Sequence, residues 1–78
     1  MREKKLWLII TFHTTTAAMA MESLCTEKGL AGRLIPVPRE VTAGCGMSWR
    51  APVENNRELI EAAEQAGIAT DGAYEIVI

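Results

Sequence analysis

The sequence has only two cysteines, Cys25 and Cys45, and neither sits in a CxxC pair or at a Cys/His spacing. This excludes a secreted disulfide framework and leaves no zinc pattern, so no metal is expected. A reducing cytoplasm is the expected compartment. Basic charge is equally sparse: the net charge is -2, Lys and Arg are scattered, and no basic stripe points to nucleic acid. The one basic cluster, Arg2-Lys4-Lys5, reads as solvation of the chain end. Long apolar runs are missing too. Leu6-Trp7-Leu8-Ile9-Ile10-Thr11-Phe12 falls far short of the about 20 residues a transmembrane helix needs, so no membrane span is expected.

That same run, preceded by Arg2-Glu3-Lys4-Lys5 and followed by Ala18-Met19-Ala20, imitates a signal peptide. The apolar core is short, however, and the polar His13-Thr14-Thr15-Thr16 separates it from the supposed cleavage site. Cleavage there would remove a strand and half a helix, so the run is read as a strand. What is present is an apolar fraction of 49% in 78 residues, near the lower limit for a single core and with no sign of disorder. The expectation is one domain spanning residues 1–78.

Leu6 to Phe12, apolar on both alternating faces, suits a central strand. Thr14 or Thr15 can cap a helix whose apolar positions Ala17, Ala20, Met21, Leu24 and Cys25 recur at helical spacing, with Gly29 as its stop. Gly32 to Pro38 reads as a second strand that its prolines confine to a sheet edge. Arg39 to Gly44 is a loop and Gly46 to Arg50 a third strand. Pro52 to Ala66 is a second helix, with Leu59, Ile60, Ala63 and Ala66 on one face and Gly67 at its end. Ala73 to Ile78 is a fourth strand.

This order, βαββαβ, predicts an α+β ferredoxin-like fold: a four-stranded antiparallel sheet with two helices on one face. The first and third strands would be central and the second and fourth at the edges. Trp7 and Ile9 have the opposite parity to Leu8 and Ile10, so one apolar set faces away from the helices. An open face carrying a tryptophan calls for cover, and a homodimer or a docked partner is expected there.

The topology also brings three segments to one sheet edge: the His13-Thr14 turn, the start of the first helix, and the loop from Pro38 to Gly46. Cys45, in Ala43-Gly44-Cys45-Gly46, would stand near a helix N-terminus and near Arg39, surroundings that favour a thiolate. Gly44 and Gly46 would leave the sulfur accessible and offer backbone amides to an anion. A lone cysteine between glycines is also an ordinary structural feature, as Cys25 on an apolar helix face illustrates. A Cys25–Cys45 disulfide is not expected, because Cys25 lies roughly 15 Å along its helix from the N-terminus at 1.5 Å per residue. His13 is read as a turn residue rather than a proton shuttle, Arg39 equally as an anion contact or a solvated side chain, and Arg50 as solvated.

Leu34-Ile35-Pro36-Val37-Pro38-Arg39-Glu40 and Ala43-Gly44-Cys45-Gly46-Met47, with the Ser/Thr-rich turn Thr14-Thr15-Thr16, Glu22 and the Arg57-to-Glu75 segment, make nearly the whole chain resemble the Se/S carrier protein-like family. These are small bacterial and archaeal proteins catalogued as a domain of unknown function. The resemblance implies a carrier that holds sulfur or selenium as a persulfide or selenopersulfide on Cys45. Pro38, Arg39, Gly44 and Gly46 match the same motif and would shape or polarise the site, with Thr14 beside it. It implies no cofactor beyond that covalently held atom, and sulfur- or selenium-donating and accepting proteins as partners. Where a family histidine would follow the Ser/Thr turn, this chain has Thr16 or Ala17, and His13 precedes it. Such a carrier is a covalent shuttle rather than a conventional enzyme. Two other readings stay open: a small ferredoxin-like anion- or ligand-binding or regulatory module, and an assembly domain in which Cys45 only fills space.

Overall fold

A computed structural model of the chain describes residues 4–41 and 44–78. Arg2 of the basic cluster, and Thr42 and Ala43 of the expected loop, lie outside the described residues. The elements follow in the order β1 (Leu6–Thr11), α1 (Thr15–Lys28), β2 (Arg33–Pro36), β3 (Met47–Pro52), a 3-10 turn (Val53–Asn55), α2 (Asn56–Gln65) and β4 (Gly72–Val77). The strands form one antiparallel sheet in the order β2-β3-β1-β4. This is the α+β arrangement expected from the order of elements, with β1 and β3 central.

Strand parity decides which residues meet the helices. Leu8 and Ile10 of β1, Trp49 and Ala51 of β3, Ala18, Met21 and Cys25 of α1, and Leu59 and Ala63 of α2 bury one another in a single cluster that also holds Phe12. Both helices therefore cover the same face of the sheet. α1 starts where Thr14 accepts a hydrogen bond from the Ala17 N–H at 3.1 Å and stops at Gly29, whose carbonyl-seeking N–H returns to Cys25 O.

Several boundaries differ from expectation, most of them by one residue. Pro52 is the last residue of β3, paired with Trp7, and not the start of the second helix. Burying Ala51 against the helices extends β3 beyond Arg50, and the 3-10 turn then reverses the chain before α2 begins at Asn56. β2 is shorter than expected. Gly32, just before it, has φ +121°, and a β-carbon there would stand 2.2 Å from Nε1 of Trp49. The indole Nε1–H donates to Ala31 O at 3.1 Å, so this corner is built around the tryptophan.

The opposite face of the sheet is less open than parity alone suggests. Ile9, Thr11 and Ser48 all point that way, and all three are fully buried within one chain. Trp7 lies at one side of Ile9, with the Arg50 guanidinium 4.3 Å and the Lys5 ammonium 4.6 Å from its ring centroid. On the other side Tyr74 lies back along the sheet over Gly72, where a β-carbon would come within 2.8 Å of its hydroxyl. Arg50 is thus half-buried and stacked, not freely solvated.

Candidate functional site

β1 and β2 run parallel to each other on either side of β3, so both end at the edge where β3 begins. The convergence expected there is present. Gly44 lies against the backbone of His13, a β-carbon on it falling 3.4 Å from the His13 carbonyl oxygen. Gly46 O accepts from the Val37 N–H at 3.0 Å, tying the Cys45 turn to the segment that follows β2. Pro38 opens a tight turn closed by the Val41 N–H donating to Pro38 O at 3.0 Å. Arg39 and Glu40, at the tip of that turn, are exposed.

Cys45 is a free, half-buried thiol at the mouth of β3, its side chain against the edge of the core. Its Sγ is 3.4 Å from both the N–H and the carbonyl oxygen of Met47. A thiol can donate to that carbonyl, whereas a thiolate, or the inner sulfur of a persulfide, can only accept from the N–H. Gly46 makes this possible. Its φ of +78° folds the chain so that the residue before it reaches back over the residue after it. Gly44 has no such left-handed backbone; its contribution is the close approach to His13.

Of the other residues expected at the site, Thr14 is engaged as the helix cap through its hydroxyl. Arg39 makes no hydrogen bond with Cys45 among the described residues; the hydrogen-bond partner of Sγ there is Met47. Cys25 is buried in the core, and burial, with the Glu58 charge as a lesser cause, pushes its thiol above the ordinary value of 9.0.

Sequence reasoning missed one partner at this edge. Asp71, just before β4, takes His13 Nε2 at 3.3 Å on one carboxylate oxygen and the Thr11 hydroxyl at 3.4 Å on the other. Its own N–H donates to Thr11 O at 2.7 Å. The turn dipeptide Asp71-Gly72 ahead of an apolar strand was the available signal. Its antiparallel pairing with the end of β1 explains why it lands beside His13. His13 therefore bridges two neighbours, its backbone against Gly44 and its imidazole against Asp71.

Two grooves among the described residues lie elsewhere. The larger runs along the helical side between Lys28, Leu30, Glu54, Arg57 and Glu61, and includes none of these residues. Among the described residues no three of His, Cys, Asp and Glu converge as a metal site, and no helix is long and apolar enough to cross a membrane. No curated protein and no solved structure matches the chain. A family model does, from β1 to β4 across residues 8–75 and through Cys45: the chain belongs to the family described as "Putative Se/S carrier protein-like".

Proposed function

We propose that the protein carries sulfur or selenium as a persulfide or selenopersulfide on Cys45 and passes it between partner proteins. What supports the reading, beyond family membership, is the setting of one atom. Cys45 is half-buried at the end of the sheet where β3 begins, in a turn with glycine before and after it, its Sγ 3.4 Å from the Met47 N–H.

Loading is a thiol exchange. The Cys45 thiolate attacks the terminal sulfur of a donor persulfide; the donor's S–S bond breaks as the new one forms, and the donor cysteine leaves as a thiolate that takes up a proton. Nothing is oxidised or reduced overall. Delivery is the same step in reverse towards an acceptor thiol, and a donor selenopersulfide would transfer selenium with the same balance. The Met47 N–H can hold the inner sulfur in place while the terminal atom faces out past Gly44 and Gly46.

The test is intact-protein mass spectrometry after incubation with a cysteine desulfurase and cysteine, comparing wild type, Cys25→Ser and Cys45→Ser. A gain of about one sulfur atom, removed by reductant, present in Cys25→Ser and absent in Cys45→Ser, is the expected result. No gain in the wild type, with Cys45 also inert to alkylation in the folded protein, would sink the carrier reading.

A further inference from the structure

The sheet face turned away from the helices carries a cluster of positive charge around Trp7. Lys5, Arg33 and Arg50 share it with Trp7, because Arg33 and Arg50 are direct cross-strand partners and Arg50 in turn pairs with Ile9, beside Trp7. Two like charges placed opposite each other destabilise a sheet, and no ion pair offsets them among the described residues. The Nε–H of Arg50 is buried without any acceptor. Glu75, paired with Leu8, has the opposite parity, and Asp71 belongs with Thr11, four residues along β1 from Trp7, or roughly 13 Å at strand spacing. The acidic residues Glu54, Glu58, Glu61 and Glu64 stand in the other layer, on the helical side. The chain is thus net acidic yet presents a cationic patch on one face.

We propose that this patch docks a carboxylate-rich segment of a partner protein. A guanidinium held over an indole is fixed in direction, and with the Nε side of Arg50 buried it is the terminal Nη–H groups that would receive a carboxylate. The same stacking covers the Trp7 ring that an unpaired base would need as a platform, so the patch fits a carboxylate better than a single-stranded nucleic acid. Two identical cationic faces repel each other, so it is also poorly suited to face-to-face pairing of two copies. Arg50 is only three residues into β3 from Met47, on the order of 10 Å along the strand. A partner seated here would lie within reach of Cys45, but the docking does not depend on sulfur chemistry.

The test is an NMR titration of the full chain with an acetylated, amidated hexaglutamate peptide, and separately with a ten-nucleotide oligothymidine. The expected result is saturable shifts of the Trp7 indole N–H and of the Arg33 and Arg50 amides with the peptide, weakening as salt rises. Arg33→Gln, at an exposed position that keeps the fold, should lower affinity about three- to tenfold. Lys28→Gln, on the helical side, should leave it unchanged. Three outcomes would overturn the proposal: no shifts at this face, oligothymidine binding there more tightly than the peptide, or self-association of the chain through the same residues without peptide.

Discussion

Gly44 rests on the backbone of His13, with room for a methyl group at 3.4 Å from the carbonyl oxygen, while Gly46, two residues on, has open space around it but a φ of +78°. The two glycines that flank Cys45 are therefore there for different reasons. Gly44→Ala should fold with nearly unchanged stability, the contact being an ordinary one. Gly46→Ala should cost about 1–2 kcal/mol, the penalty for a side chain in the left-handed region. For a chain of this size that is a drop in Tm on the order of 4–16 °C. Thermal melts of the two variants give the ordering directly, and a larger loss for Gly44→Ala would mean that the turn is built differently.

The corner at Gly32 should be the least forgiving position in the chain. Alanine there meets Trp49 Nε1 and Arg50 O, at 2.2 and 2.7 Å, as well as a φ of +121°. Moving a buried indole that is hydrogen-bonded to Ala31 O is expected to cost roughly 3 kcal/mol or more. Trp49→Phe, which keeps most of the packing and leaves the Ala31 carbonyl unpaired, should cost less, about 1–3 kcal/mol. Urea unfolding followed by far-UV circular dichroism measures both.

Thr14 separates capping from any role at the cysteine. Thr14→Ala should lose about 1 kcal/mol through the missing bond to the Ala17 N–H, and Thr14→Ser should recover most of it. Sulfur loading of Cys45 at a temperature where all three proteins are folded should be the same. A defect in loading for Thr14→Ser, with stability intact, would show that the threonine does more than cap the helix.

Alkylation should distinguish the two thiols. Cys45 should react in the native state and Cys25 only on unfolding, since Cys25 is 1% exposed. Cys25 also gives a pH dependence with a definite sign. Burial raises its pKa from 9.0, so above that pH the unfolded chain releases its proton before the folded one does. The unfolded state then binds fewer protons, and stability falls as pH rises from about 9 towards the folded-state value. Cys25→Ala should flatten this decline, as pH-dependent urea midpoints would reveal.

Much of this was legible in the residues because local signals and global fold agree. Thr14, Gly29 and Gly67 bound the helices as their chemistry requires, and Pro36 and Pro38 forced β2 to the edge before any pairing was known. The convergence of His13 with the Cys45 turn followed from topology alone. The rest depends on long-range contacts that no window of sequence contains. Pro52 looks like a helix start, yet pairing with Trp7 holds it in β3. Arg50 looks solvated until Trp7 is placed beside it, and Asp71 becomes a partner of His13 only because β4 begins where β1 ends.

The two borders of the sheet are chemically unequal. β2 ends in Pro36, which has no N–H to offer a further strand, and the segment beyond it is drawn back to Gly46. β4, from Gly72 to Val77, contains no proline and keeps Val77 about half exposed. Growth of the sheet by strand addition is therefore one-sided. Two chains that joined border to border at β4 would leave outside only borders that end in proline, which disfavours growth beyond two.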